Sequence, residues 1–463
     1  MVYDDARSSA VSPRIDDSRR SVTVQLPLHS DANIIIIMFA RSTAFTVPDA
    51  RDTGVNDVAI APPSSSVSAS AIVAVAACEN GAVVGFDERA PSEGRCAFEV
   101  SNATTGRRDD DDEANCVVWG VDGSSSLYFA RGSTVFETDV RRLGCGGDDA
   151  VSAVIRTFDE ASDGVNGMDI DAKGELLAAC DDDGEIIVYD LKSGGVRRRL
   201  KGHTGCVTSV RFRRGKRGSG ECVSAATDCR VMKWDVGSKP VPVRTWETRA
   251  MRGVDDLIRE ESVADDNDDN DKGTEKDASD SARAFNPPMA HSVAVFDGVA
   301  SDENVPGARR VLATACGDGT IAVIDMDHPG CGSGGSKKKK SASTGVFRSG
   351  KAECVRLGAS DFTTSAVHPS IRHTAAATCA EFAPWNPRGD IIVSGGTDRR
   401  LIAWNWVSAA SATSATSASS ASTGAIASVK RSRKINALAF AHASPRLAVA
   451  DTGPSIAVYD VGS

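Results

Sequence analysis

Aromatic side chains are scarce in this chain: Phe, Trp and Tyr supply 5% of its 463 residues, and there are only seven histidines. Its core cannot rest on large rings, so it must come from many small aliphatic and β-branched contacts. Long apolar runs are missing too. The most apolar one, "NIIIIMFA" at 33–40, is far below the roughly 20 residues that cross a bilayer as a helix, and it reads as a buried strand. The first residues, "MVYDDARSSA", place acids where a secretory signal needs positive charge followed by an apolar stretch. No export is expected.

Paired cysteine motifs are absent. None of the twelve cysteines is spaced C-x-x-C, and several, such as Cys180, Cys316 and Cys379, sit inside apolar runs. They are expected to be reduced core residues in a cytoplasmic or nuclear protein. Positive charge is in deficit, with 53 Lys and Arg against 63 Asp and Glu, a net charge of −10. That field opposes nucleic acid and anionic membrane, so neither is expected as a partner.

Motifs of known chemistry are missing as well. There is no G-x-S-x-G elbow, no H-E-x-x-H pair and no Cys/His zinc spacing. "GCGSGGSK" at 330–337 puts Ser336 where the lysine of a phosphate-binding loop would stand. Asp181, Asp182 and Asp183 precede Gly184, the composition of a hairpin turn whose carboxylates cap backbone N–H groups. No catalytic residue, cofactor or metal is expected, and the protein is not expected to be an enzyme.

What the chain does have is a repeated grammar. An apolar run, a turn with Asp or Gly, a second alternating run and an aromatic or aliphatic residue followed in most copies by Asp recur seven times. The copies are "IVAVAACENGAVVGFD" (72–87), "LYFARGSTVFETD" (127–139), "LLAACDDDGEIIVYD" (176–190), "CVSAATDCRVMKWD" (222–235), "VLATACGDGTIAVID" (311–325), "IIVSGGTDRRLIAWN" (391–405) and "LAVADTGPSIAVYD" (447–460). Each reads as a β-hairpin. Most have a further short strand just before them, as in "CVTSVRF" (206–212). Such a unit cannot bury both its faces alone, so neighbours must stack.

Two units share a four-residue pattern. Ser224, Asp228 and Trp234 follow His203 by 21, 25 and 31 residues, and Ser394, Asp398 and Trp404 follow His373 by the same offsets. A buried imidazole needs partners for both nitrogens; a turn carboxylate can fix one, and a hydroxyl can link the other to an indole N–H. A catalytic base would have no reason to occur twice with the same three companions. A weaker copy runs His291, Thr314, Asp318, with Ile324 in the tryptophan position.

Gly202-His203 followed by Trp234-Asp235 resembles a WD repeat. The resemblance implies an all-β, seven-bladed WD-repeat β-propeller in which each His, Ser, Asp and Trp set forms a hydrogen-bonded chain within one blade. The domain is expected to run over 22–463, after a flexible segment 1–21. Insertions are expected at 251–283 (acidic, and expected to be disordered), 328–352 (Gly, Ser and Lys) and 407–428 (Ser, Ala and Thr). Because the last hairpin ends at the end of the chain, the outermost strand of the final blade is expected from the N-terminal side, from 22–28 or 33–39.

The order of the units, "NPPMAHSVAV" (286–295) and the terminal "LAVADTGPSIAVYDV" are together similar to the small propeller family of WD repeat-containing protein 53. That likeness implies a non-catalytic scaffold for other proteins, a monomer within a larger complex. Some members of the wider class are substrate receptors of cullin-4 ubiquitin ligases, docking on a propeller adaptor through Trp-Asp-x-Arg. Here "FETDVRR" offers Asp139 and Arg141, with Thr138 in place of the tryptophan. The competing readings are a chromatin or histone-tail binder and, from another class, a propeller hydrolase. The basic clusters Lys337 to Lys340 and "KRSRK" at 430–434 read either as nuclear import signals or as solvated loop charge.

Overall fold

The computed structural model describes residues 21–22, 38–47, 53–62, 73–87, 96–100, 113–121, 125–143, 153–214, 220–251, 287–298, 310–326, 354–358, 371–407, 424–441 and 445–462. They form seven antiparallel sheets set around one axis. From inner to outer strand, blade 1 comprises Val55–Ile60, Val73–Cys78, Val83–Asp87 and Cys96–Val100, and blade 2 Ala114–Trp119, Ser126–Arg131, Thr134–Asp139 and Val154–Phe158. Blade 3 is Val165–Ile170, Leu176–Asp181, Glu185–Asp190 and Val196–Lys201, and blade 4 is Val207–Phe212, Glu221–Ala226, Arg230–Asp235 and Arg244–Glu247. Blade 5 is Ala290–Asp297, Arg310–Cys316, Ile321–Asp325 and Cys354–Leu357; blade 6 is Ala377–Phe382, Ile391–Gly396, Arg400–Asn405 and Ala425–Lys430. The seven hairpins read from the sequence are the second and third strands of the seven blades.

Blade 3 shows why these runs are apolar at nearly every position. Ala178, Cys180, Ile186 and Val188 pack into a core shared with blade 4, whereas Leu177, Ala179, Ile187 and Tyr189 pack into one shared with blade 2. Successive side chains of a strand point to opposite faces. A strand between two neighbours is therefore buried on both. Blade 1 and blade 7 share a core in the same way, through Val58, Ala76 and Phe86 on one side and Ala448, Ala450 and Ile456 on the other, so the ring is closed.

Blade 7 takes Ile435–Phe440, Arg446–Asp451 and Ser455–Gly462 from the C-terminal end and Met38–Thr46 from the N-terminal end. Phe39 pairs with Val461 and Phe45 with Ile456. Both rings are buried, and the Val47 N–H donates to the Pro454 carbonyl at 2.7 Å. The strand thus lies further along the chain than either stretch singled out above. It overlaps 33–39 only at residues 38 and 39, and Ser21–Val22 pairs on its outer edge. Burial of Phe39 and Phe45 holds this register, which shifts by a bulge between Arg41 and Thr43. Residues 33–37 lie outside the described residues.

Two other boundaries differ from expectation. Ala425–Lys430, whose first four residues fall in the stretch 407–428 read as an insertion, is the outer strand of blade 6; Ala427 is buried and pairs with Ala403. Its Ile426 and Val429 pack against the core that blade 6 shares with blade 7. In "KRSRK", Arg431 is a packed side chain, donating to Tyr459 Oη at 2.7 Å and Asp451 Oδ2 at 2.6 Å. Lys337 to Lys340 and the Gly/Ser/Lys insertion lie outside the described residues, as does nearly all of the acidic one.

The inner strands are fastened to each other by a repeated pair of bonds. Their second residue donates to the first carbonyl of the next blade: Asn56 to Ala114 (3.2 Å), Asn166 to Val207 (3.2 Å), Thr208 to Ala290 (2.8 Å), Thr378 to Ile435 (2.7 Å) and Asn436 to Val55 (2.9 Å). Their third residue accepts from the next blade: Asp57 from Val117 N–H (3.0 Å), Ser209 from Val293 N–H (3.3 Å) and Ser292 from Ala380 N–H (3.2 Å). In blade 3 the third residue is Gly167, where an added Cβ would stand 3.2 Å from the Ser209 Cα. These bonds hold the inner ring in register.

Closure generates a test. Deleting residues 1–46 should lower the melting temperature by at least about 10 °C and promote association through the bared edge, whereas deleting residues 1–20 should leave it within about 2 °C. Equal melting points for the two truncations would contradict the closing role of Met38–Thr46.

Candidate functional site

The structure brings His203, Ser224, Asp228 and Trp234 together in blade 4. The imidazole precedes the inner strand, Asp228 lies in the turn between second and third strands, Ser224 is on the second strand and Trp234 on the third. His203 Nδ1 is 3.0 Å from Asp228 Oδ2, Nε2 is 2.7 Å from Ser224 Oγ, and the indole N–H donates to the same Oγ at 2.8 Å. Blade 6 repeats this with His373, Asp398, Ser394 and Trp404 at 3.0, 2.8 and 2.7 Å. Both imidazole side chains have no exposed surface.

The bonding order follows from the groups. An ionised carboxylate can only accept, so Nδ1 carries the proton; Nε2 accepts from the serine hydroxyl, whose oxygen takes the indole N–H. Burial would raise both carboxyls, but the bonds from each histidine and from backbone N–H groups outweigh it and hold Asp228 and Asp398 below their usual range. Thr204 and Arg230 supply those N–H groups to Asp228, Thr374 and Arg400 to Asp398. Every polar atom in these two chains is engaged, leaving neither imidazole lone pair for a substrate or metal.

Blade 5 is built differently from its reading in the sequence. His291 is the second residue of the inner strand, at a bulge between Ala290 and Ser292, in the place that Asn or Thr fills in other blades. It does not join Thr314 and Asp318. Instead the buried guanidinium of Arg356, from the outer strand, donates to Asp318 Oδ2 at 2.7 Å, while Asp318 Oδ1 accepts from the Thr320 hydroxyl and N–H. Thr314 Oγ1 and Arg356 Nε and Nη1 are buried without a hydrogen-bond partner. The signal was in the spacing: Thr314 and Asp318 follow His291 by 23 and 27 residues, two more than in the complete sets.

Charged residues also line the axis. Arg211 Nη2 of blade 4 reaches Glu381 Oε1 of blade 6 at 3.4 Å, and Asp169 accepts from Phe212 N–H at 2.7 Å and lies 3.5 Å from Arg214. Burial raises the Asp57 carboxyl, and Val117 N–H, Arg211 and Val58 N–H oppose the rise. Near the axis, Asp57, Asp169 and Glu381 are matched by arginines and backbone N–H groups. Sequence reasoning missed this cluster because only ring closure brings residues 170 positions apart into contact.

Asp139 and Arg141 lie where the third strand of blade 2 ends. Asp139 caps the turn Val140–Arg142, accepting from Arg141 N–H at 3.0 Å, and takes the guanidinium Nε at 3.0 Å and Nη2 at 2.7 Å. The side-chain bond from Arg141 is the main reason the Asp139 carboxyl sits well below its usual range. The arginine is 63% exposed on its side chain, so this neighbour holds it outward in one posture. Thr138 is fully buried and donates to the Leu127 carbonyl at 3.1 Å, so no aromatic ring accompanies the pair.

Ser224→Ala or Ser394→Ala should cost about 1–3 kcal/mol in urea unfolding, and the two should add, since they lie in different blades. Both carboxyls have depressed values in the fold. Their stabilisation is therefore complete above the unfolded carboxylate value of about 4 and is lost as pH falls through the lower folded values. Between neutral pH and about pH 3 the wild type should lose more stability than the Asp228→Asn/Asp398→Asn variant; parallel losses would contradict the assignment. In blade 5, Asp318→Ala should cost about 3–5 kcal/mol by stranding a buried guanidinium, and Asp318→Ala/Arg356→Leu should recover most of it.

Three segments of the chain, residues 152–190, 194–235 and 367–405, match the WD40 family, described as WD domain, G-beta repeat. The second and third contain the two complete sets, and the first is the third-blade hairpin with the outer strand of blade 2 and the inner strand of blade 3 before it. With seven sheets closed about one axis, the protein is a seven-bladed β-propeller, three segments of which match WD40 repeats.

Proposed function

We propose that the protein is a rigid interaction scaffold for other proteins and that Arg141 is a contact for the propeller adaptor of a cullin-4 ubiquitin ligase. The observation that supports it most is the posture of Arg141. Asp139 takes the Nε and Nη2 positions of the guanidinium, while the side chain as a whole is exposed. A planar donor edge fixed in advance suits a bidentate contact with a partner carboxylate or carbonyl pair, because little rotamer entropy remains to be lost. The sequence likeness to the WD repeat-containing protein 53 family supports the same reading. The scaffold role in turn draws support from the two imidazoles, whose bonding is wholly internal.

Affinity purification of the full chain from its native cells tests this, with Arg141→Ala and Arg141→Lys alongside. The wild type should bring down the adaptor, and both variants should recover at least about tenfold less, since lysine keeps the charge but lacks the planar fork. Undiminished recovery with Arg141→Ala removes this residue from the interface. Absence of the adaptor from the wild-type sample removes the ligase reading and leaves the scaffold one.

A further inference from the structure

The turns between second and third strands share one geometry. In blades 1, 3 and 5, Gly81, Gly184 and Gly319 donate their N–H groups to the carbonyls of Cys78, Asp181 and Cys316, with φ of +78°, +85° and +83°. Blade 6 has Arg399 at that position, donating to the Gly396 carbonyl with φ +67°. This left-handed conformation suits glycine and strains a residue that carries a Cβ. Cys229 of blade 4, at φ +62°, is buried and has packing to gain. Arg399 is exposed and has no ion-pair partner among the described residues. Nothing inside the fold rewards an arginine there, so its charge is the feature to explain.

That charge is one of a group. Lys430 lies opposite Arg400 on the outer strand of blade 6, and the Arg431 N–H donates to the Arg399 carbonyl at 2.7 Å. The chain then crosses to blade 7, where Arg433 donates to the Thr452 carbonyl at 3.0 Å and lies so close to Gly453 that a side chain there would clash. The Thr452 N–H in turn donates to the Lys434 carbonyl at 3.0 Å. The two turns and the connection between them therefore form one surface. Its two carboxylates, Asp398 and Asp451, are buried and engaged: Asp398 holds His373 and lies 4.0 Å from Arg400, and Asp451 takes Arg431 at 2.6 Å and the Gly453 N–H at 2.9 Å. Arg399, Lys430, Arg433 and Lys434 are exposed and have no carboxylate within ion-pair distance among the described residues.

The placement of these cations selects the occupant. Salt confines their reach to about 8 Å, and a chain of net charge −10 repels a long polyanion beyond the patch. A compact ligand is favoured. The cations are spread over two neighbouring turns and do not converge on one point, which matches several separate carboxylates better than a single phosphate. Arginine forks take carboxylates with two parallel bonds.

We propose that the turns of blades 6 and 7, with residues 430–434 between them, are a docking surface for a short segment of a partner protein rich in Asp and Glu. The third strand of a blade begins at such a turn and ends on the opposite face, where Arg141 stands beyond the third strand of blade 2. The two contacts thus use opposite faces of the ring. This surface presupposes the scaffold role but not the Arg141 contact.

The probe is a fluorescein-labelled synthetic peptide of alternating glutamate and serine, beside a counterpart with glutamine for glutamate, followed by anisotropy with the full chain at about 50 mM and about 500 mM salt. The acidic peptide should bind saturably at low salt and at least about tenfold more weakly at high salt, and the glutamine peptide should not bind. Arg399→Gly/Lys430→Gln and Arg433→Gln/Lys434→Gln should each weaken binding at least about tenfold. Arg399→Gly supplies the residue this turn geometry favours, and the other positions are on the surface, so both variants should melt within about 2 °C of the wild type and report intact folding. Arg141→Ala should bind the peptide as the wild type does, which separates this surface from the adaptor contact. No saturable binding at low salt, equal binding of the glutamine peptide, or full binding by either double variant overturns the proposal. Loss of binding in Arg141→Ala also overturns it, by placing the peptide on the other face.

Discussion

A sheet that is apolar on both faces can be stable only between two others, and that requirement governs this protein. Each of the cores pairs one blade with the next, so a blade at the end of an open row would leave one face in water. Pairing of Met38–Thr46 with Ser455–Gly462 removes the ends. It places residues from the two ends of the chain in one sheet, buries Phe39 and Phe45, and lets blade 7 share a core with blade 1. The small side chains that dominate the composition suit this arrangement, because neighbouring sheets must approach closely near the axis where a ring narrows.

Within that frame, polar groups are placed so that burying them costs little. Backbone edges of the inner strands receive Asn, Thr, Ser and Asp side chains from the adjoining blade, and the loops of blades 4 and 6 are tied down through a histidine, a serine, a carboxylate and an indole. Blade 5 reaches a related end with other parts: an arginine from the outer strand fixes the turn carboxylate that a histidine fixes elsewhere. The repeat therefore conserves a need, a turn aspartate held by a buried cation or imidazole, more than a residue. Such internal bonding makes a body with few internal degrees of freedom, which is what a scaffold requires of its loops and rim.

The surface is where the seven units cease to resemble one another. On blade 2 the ring presents an exposed arginine, Arg141, held by Asp139, and the large hydrophobics left in solvent among the described residues, Ile155, Val196, Val241 and Val243, lie on or beside the outer strands of blades 2 to 4. Residues 252–286, between blades 4 and 5, carry a net charge of −7 of the chain's −10, from twelve Asp and Glu against five Lys and Arg.

Much of this was legible in the residues. Seven hairpins follow from apolar runs alternating around Asp and Gly turns, and two histidines with equal offsets to serine, aspartate and tryptophan declare their own bonding, since every member lies within one unit. His291 shows the limit of such reading: its partners look right, but a shift of two residues carries it into a strand and out of reach of Thr314 and Asp318. The closing strand was legible in kind and not in place. Its register depends on which residues of the N-terminal stretch meet the last hairpin, and no local pattern encodes a pairing between opposite ends of a chain. Contacts made by closure itself, the rungs between inner strands, Arg211 facing Glu381, and the collection of exposed aliphatics on one arc of the rim, belong to the tertiary structure alone. They join residues from different blades, and only the geometry of the ring decides which blades meet.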